Sequence, residues 1–271
     1  MANATRPDDE QEMATVTSAD GTEIAYERSG RGPPLVLVHA STVTHAHFES
    51  ARPGLAEHFT VYGMDRRGHG ESGDANEYAL EREAEDVSAV IDGIQEPVTL
   101  LGSSFGALVS LEAALQTENL RELVLYEPPI PVGDHEFAEY DEVAALVENG
   151  ENEQALTVLH NLGEDPPVQI DALREQPNWQ NRVDGAHTFP RETRVFREYV
   201  FDPARFMDLT TPWLLLTGSE SSAAHQDAME AVEEALPNSR LITFEGHGHV
   251  AFNTAPDRFI DEVLSFVRES T

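Results

Sequence analysis

Val98-Thr99-Leu100-Leu101-Gly102-Ser103-Ser104-Phe105-Gly106-Ala107-Leu108 is the stretch on which the reading of this chain turns. Val98–Gly102 is a short, nearly continuous apolar run, the pattern of a strand buried on both faces. Ala107–Gln116 has helical spacing. Between them lies a G-x-S-x-G turn in the strand–turn–helix setting of a nucleophile elbow. So sharp a turn strains its central residue and needs small residues two before and two after it. The Ser104 hydroxyl is then expected at the strand's carboxyl end, above a helix amino terminus that favours developing negative charge. A glycine–serine loop arising by chance would lack the flanking strand and helix.

Working outward, short apolar runs alternate with amphipathic ones, the mark of a mostly parallel sheet with helices on both faces. Thr15–Ser18 and Thr22–Glu27 read as an opening hairpin. Pro34–His39, Phe59–Met64, Leu123–Tyr126, Trp213–Thr217 and Leu241–Phe244 read as further strands. Ala79–Ile94, Ala223–Leu236 and Asp257–Glu269 read as helices, the second of these stopped by Pro237. The alternation breaks from 128 to 208, where Phe137–Val147 and Glu153–Leu162 are helical and a proline-punctuated stretch carries Trp179, Phe189, Phe196, Tyr199 and Phe206. The expected organisation is an acidic disordered tail at 1–13, an α/β core at 14–127 and 209–271, and a helical cap inserted at 128–208. The cap aromatics are expected to be mainly core.

A serine hydroxyl is a weak nucleophile and needs a base. Gly246-His247-Gly248-His249-Val250 follows the last strand, so His249 can reach the elbow from a neighbouring loop at the same sheet edge, with His247 a solvated competitor. His45, His47, His58, His69, His135, His160 and His187 lack comparable context. The oxyanion of an acyl-transfer intermediate needs two amide donors. These are expected from Phe105, after the nucleophile, and from Ser41, in the loop after the third strand, with His39 anchoring that loop. The pairs His45/His47 and His247/His249 would suit a metal only with a carboxylate at ligand spacing, and none follows, so no metal is expected.

The 271 residues carry 17 basic and 50 acidic side chains, a net charge of −33, and every one of the cations is arginine. Such a surface repels nucleic acid and anionic lipid. It strains the compact state in dilute buffer, a strain that salt relieves as the Debye length falls to about 3 Å near 1 M. A protein of a halophile's salt-rich cytoplasm is the expectation. There is no cysteine, which excludes disulfides, thiolate nucleophiles and thiolate metal sites. No stretch reaches the ~18 apolar residues of a membrane span.

Together these elements resemble the α/β-hydrolase superfamily, and Asp65-Arg66-Arg67-Gly68-His69-Gly70-Glu71-Ser72 looks like its D-x-R-G-x-G-x-S loop. The resemblance runs from about Val16 to the last helix, outside the inserted cap. Within the superfamily the chain is most similar to the capped esterase, cofactor-free haloperoxidase and enol-lactonase-like group. It departs in having His39-Ala40 where members usually have His-Gly, and Ser103 where they often have histidine or tryptophan. The resemblance implies a triad acid shortly after Gly218, where Ser221 cannot serve and Glu220 comes one residue early, or at the end of the preceding strand, where Glu127 stands. Both glutamates remain candidates.

The resulting expectation is a serine hydrolase that cleaves a small ester or lactone through Ser104, His249 and a glutamate, needs no cofactor, and is monomeric or homodimeric. A carbon–carbon bond hydrolase, a perhydrolase or a non-catalytic ligand binder on the same scaffold are the alternatives. Asp65 and Arg66 are expected to brace the loop beside the site.

Overall fold

The computed structural model describes residues 11–132, 137–162, 171, 174–175, 178–236 and 238–269. Met1–Glu10, most of the expected tail, lie outside the described residues, as does His135.

Eight strands form one sheet: β1 (Glu12–Thr17), β2 (Glu23–Gly30), β3 (Pro34–Val38), β4 (Thr60–Met64), β5 (Val98–Ser103), β6 (Leu120–Tyr126), β7 (Trp213–Gly218) and β8 (Ser239–Phe244). Their spatial order is β1-β2-β4-β3-β5-β6-β7-β8. The β1/β2 and β2/β4 pairs are antiparallel and the others parallel. β1 opens at Glu12, inside the stretch read as tail, because Glu12 pairs with Arg28 and Met13 with Glu27 in the hairpin ladder.

The helices are α1 (Arg52–Ala56), α2 (Leu80–Asp92), α3 (Phe105–Ala113), α4 (Ala138–Glu148), α5 (Asn152–His160), α6 (Trp179–Gly185), α7 (Phe189–Glu198), α8 (Ala223–Ala235), α9 (Ala251–Thr254) and α10 (Pro256–Glu269). Strand side chains alternate between the two faces, so each face has its own core. Val36, Leu100, Leu123 and Leu215 pack with α2, α3 and α8 through Val87, Leu108 and Met229. Leu35, Leu37, Leu101, Val124 and Leu216 pack on the other face with Leu55, Phe252 and the Phe259–Val263–Phe266 stripe of α10. All five residues of β3 are buried. Each such side chain contributes roughly 1.5–3 kcal/mol, which fixes the middle of the sheet as the rigid platform for its loops.

α4 to α7 lie between β6 and β7, and no strand occurs in that interval among the described residues. They hold small cores of their own, Leu156 with Trp179 and Ala186, and Val143 with Ala155 and Phe189. Of the aromatics in this interval Trp179, Phe189, Phe196 and Phe206 are buried and Tyr199 is half-buried.

Candidate active site

α3 starts at Phe105, two residues before the helical spacing becomes legible, because the chain passes from strand to helix through one residue. That residue, Ser104, has φ 52 and ψ −126. A non-glycine residue held so costs on the order of 1–3 kcal/mol and needs surroundings that over-determine it. Here the Ser104 N–H donates to the Tyr126 carbonyl at 2.8 Å, and the Ser104 carbonyl accepts from the Ala107 N–H at 2.8 Å. The flanking glycines are steric necessities. A methyl on Gly102 would lie 2.5 Å from the Gly106 carbonyl oxygen, and one on Gly106 would lie 2.3 Å from that of His39. Among the described residues only Thr42, Ser104 and Glu127 combine positive φ with a side chain, and all three sit at the carboxyl edge of the sheet.

Glu127 immediately follows β6 and is fully buried. Its Oε1 accepts from Thr217 Oγ1 at 2.7 Å and from the Gly218 N–H at 2.8 Å. Its Oε2 accepts from His249 Nδ1 in a short hydrogen bond that becomes an ion pair when the imidazole takes up a second proton. Burial by itself would raise the Glu127 pKa. The His249 hydrogen bond, aided by the charges of His249 and His225, outweighs burial and brings it down to about 2. An ionised carboxylate at Oε2 fixes the proton of neutral His249 on Nδ1, which leaves Nε2 as the acceptor.

The loop bearing His249 is clamped from below. Tyr126 Oη donates to the Gly248 carbonyl at 2.6 Å and accepts from the Ala251 N–H at 3.2 Å. A methyl on Gly218 would lie 2.2 Å from the His247 carbonyl oxygen, so that close approach demands glycine. The Glu220 N–H donates to the same carbonyl, and the Glu220 side chain is exposed, accepting from Ser219 Oγ. Of the two candidate acids the fold therefore brings Glu127 to His249 and leaves Glu220 away from it. His247 bonds Thr254 through Nδ1 at 2.8 Å. No hydrogen bond joins Ser104 to His249 among the described residues; in ligand-free sites this contact is often long and tightens as substrate enters.

Phe105 is the first residue of α3, so its N–H has no partner within the helix. Ser41 is half-buried in the loop after β3, against which Gly106 is pressed. His39 anchors that loop: its Nδ1 donates to the Ala40 carbonyl at 2.7 Å and its Nε2 accepts from the Arg66 N–H at 3.0 Å. Burial, with the neighbouring charges of His69 and Arg66, keeps this ring neutral. Asp65 accepts from the backbone and Nδ1 of His45, both at 2.8 Å, and from the Glu71 N–H at 3.0 Å. The buried Arg66 guanidinium forks onto Glu83 at 2.6 and 2.8 Å and reaches Glu192 of α7 at 2.7 Å. It also donates to the Ala40 carbonyl and lies 4.7 Å over the Phe105 ring. Burial would raise the Glu192 pKa, but Arg66, His69 and the Ser41 hydroxyl hold it far below the usual range. One guanidinium thus ties the inserted helices to the loop beside Ser104.

Three participants escaped the sequence reading. Tyr126 is one. His47 is another, buried with Nε2 3.3 Å from Ser103 Oγ. The third is His225, whose ring stacks on His249 at 4.4 Å and 20° and whose Nδ1 meets Ser222 Oγ at 2.9 Å. Nothing in local sequence distinguishes a histidine on α8 that folding delivers to another loop. Ligand atoms of Glu127, His225 and His249 come within 4.8 Å of one another. A metal ion needs imidazole lone pairs that converge in their ring planes. Rings stacked nearly parallel point theirs side by side, a poor cradle for a cation. A separate cleft of about 570 Å³, lined by Tyr78, Arg191, Tyr199 and Arg205 among others, contains none of the expected site residues. No described helix is long and apolar enough to cross a membrane.

The sequence matches the model of the "Alpha/beta hydrolase family" over residues 35–262. It is 35% identical to an alpha/beta hydrolase from Sphaerobacter thermophilus of known structure, with a TM-score of 0.81 over 93% of this chain and 99% of that one. An esterase from Exiguobacterium antarcticum is 26% identical, with a TM-score of 0.80 over 94% and 99% of the two chains. A pimeloyl-[acyl-carrier protein] methyl ester esterase from Aeromonas hydrophila is 26% identical over 90% of this chain and 99% of its own. With the elbow, the sheet order and these likenesses in agreement, the chain belongs to the alpha/beta hydrolase family.

Proposed function

We propose that this protein is a serine hydrolase of carboxylic esters or lactones, with Ser104 as nucleophile, His249 as general base and acid, and Glu127 as the acid that orients it. The observation that carries the reading is the buried Glu127 carboxylate bonded to His249 Nδ1, on the strand beside a strained serine. That bond sets the tautomer in which Nε2 can take the serine proton.

Ser104 Oγ attacks the carbonyl carbon as its proton passes to His249 Nε2, and the imidazolium is stabilised by Glu127. The amides of Phe105 and Ser41 receive the oxyanion. Collapse expels the alcohol, which takes the proton from Nε2, and leaves an acyl-serine. Water then adds to the acyl carbon while giving its proton to Nε2. The second tetrahedral intermediate releases the acid, and the proton returns to Ser104. The likeness to two esterases supports an ester as substrate. No step calls for a metal or an organic cofactor. The acid excess supports work in a salt-rich interior.

The test is a p-nitrophenyl acetate assay in molar KCl. The expected result is a burst of nitrophenol followed by slower steady turnover, with both abolished in Ser104→Ala. Steady turnover that survives in Ser104→Ala would remove the serine mechanism. A wild-type protein with no turnover of any ester in a broad panel would point to a ligand binder.

A further inference from the structure

In a chain with 50 acidic and 17 basic side chains, a half-buried arginine without a carboxylate is conspicuous. Three other deeply placed arginines are paired, Arg66 with Glu83 and Glu192, Arg67 with Asp86 and Asp20, and Arg52 with Glu27. Arg182, on α6, has no carboxylate within ion-pair distance among the described residues. Among the described residues its polar contact is Nη1 to His160 Nε2 at 3.3 Å, and its Nε is buried with no partner among them. Glu49, an exposed residue at the end of the turn bearing His47, is the acid whose charge it feels.

Its placement is toward the chemistry. α6 ends at Gly185, where a methyl would come 3.1 Å from the Thr42 carbonyl oxygen, so the helix lies against the loop that carries Ser41. His47 feels the charges of both Arg182 and His249, while its Nε2 meets the side chain beside Ser104. Arg182 and His249 therefore both lie within electrostatic reach of His47. Burial and Arg182 also push the His160 pKa down to about 4, so the group beside the guanidinium is a neutral imidazole that cannot discharge it.

A guanidinium held half out of water with donors unspent has a definite complement, a planar anion that takes two of its N–H groups. We infer that Arg182 anchors a carboxylate on the substrate, so that the ester cleaved at Ser104 carries a free carboxylate elsewhere in its acyl chain. This deepens the esterase reading and rests on it. The long-range field of the protein opposes an anionic substrate. Molar salt screens that field beyond a few ångströms and leaves a buried contact largely intact.

The experiment compares monomethyl esters of dicarboxylic acids of increasing length with methyl esters of the monocarboxylic acids of matching length, in molar KCl. Wild type is expected to favour the acid ester in kcat/KM by about 10- to 100-fold at the best length, the scale of one charge-assisted contact. Arg182→Gln should abolish that preference while leaving the neutral ester within about twofold, and Arg182→Lys should keep part of it. A second readout needs no catalysis: the matching dicarboxylate should raise the melting temperature of Ser104→Ala, and the added Arg182→Gln change should cancel the rise. Equal preference in wild type and Arg182→Gln, or no dicarboxylate-dependent shift, overturns the inference and leaves the serine mechanism standing. Turnover of neutral esters by Ser104→Ala would instead strike the mechanism, and the melting shift would still judge Arg182.

Discussion

Replacing Glu127 with glutamine changes one atom and, on this geometry, reverses one hydrogen bond. The Oε1 side of the carboxylate faces the Gly218 N–H, a donor that cannot turn, as well as the Thr217 hydroxyl. The glutamine oxygen must take that side, because its NH2 there would face a donor with no acceptor. The NH2 then points at His249 Nδ1, which has to become an acceptor, and the imidazole proton moves to Nε2. A histidine with Nε2–H cannot receive the proton of Ser104. Loss of the working tautomer in serine triads costs about 10⁴ in turnover, roughly 5.5 kcal/mol of transition-state stabilisation. Substrate binding does not involve Glu127, so KM should stay within a few-fold. The folded state loses one charge-assisted contact in a buried site, about 1.5–3 kcal/mol. Steady-state hydrolysis of p-nitrophenyl acetate by Glu127→Gln, with Glu220→Gln as comparison, reads the kinetic loss, and urea unfolding reads the stability. Glu220 is exposed and should be silent to within about twofold. Activity of Glu127→Gln within tenfold of wild type, or an equal loss in Glu220→Gln, would mean that Glu127 does not set the His249 tautomer.

The depressed Glu127 pKa is also a statement about stability. A carboxyl whose folded pKa lies below its unfolded value stabilises fully above the unfolded value and loses that contribution as pH falls through the folded one. From 4.5 to about 2, the stability gap between wild type and Glu127→Gln should shrink by roughly 2 kcal/mol between pH 5 and pH 3, measured by urea unfolding at fixed KCl. A gap constant over that range would contradict the assigned ion pair. Gly106→Ala places a methyl 2.3 Å from the His39 oxygen and 2.4 Å from that of Val38, so backbone must move by about 1 Å between the elbow and the oxyanion loop. Displacement on that scale costs about 10²-fold in rate, and kcat should fall by that much in steady-state kinetics. Finally, with a net charge of −33, the melting temperature should climb steeply between dilute buffer and molar KCl, and equal values would end the salt-adaptation reading.

Legibility in the sequence followed how local the physics is. The elbow was readable because strand, strained turn and helix occupy consecutive residues, and Gly102 meets atoms that the turn itself brings close, although Gly106 meets the distant carbonyls of Val38 and His39. The β3 and β7 runs were readable because parallel strands buried on both faces carry unbroken apolar stretches, and β4, parallel to β3 and antiparallel to β2, is nearly as buried and reads alike. β6 was read three residues short, since Leu120 and Arg121 lie at a half-exposed sheet end, the pairing with β5 skips Arg121, and Glu122 is buried but not apolar. Choosing between Glu127 and Glu220 was beyond sequence reading, because both precede His249 in order. What separates them is the backbone at Glu220, which bonds His247 and turns its side chain outward. Tyr126, His47, His225 and Arg182 act through contacts between distant segments, and no periodicity or motif announces such contacts. The same holds for Glu192, one glutamate among many until Arg66 is found against it.

A single serine nucleophile can be trapped covalently. Full-length protein in molar KCl, treated with diethyl p-nitrophenyl phosphate and weighed intact, should gain one diethylphosphoryl group, mapped by peptide sequencing to Ser104. Ser104→Ala should take up none, and Glu127→Gln should react far more slowly. Stoichiometric label on another residue, or inactivation of the enzyme with Ser104 unmodified, would contradict Ser104 as the nucleophile.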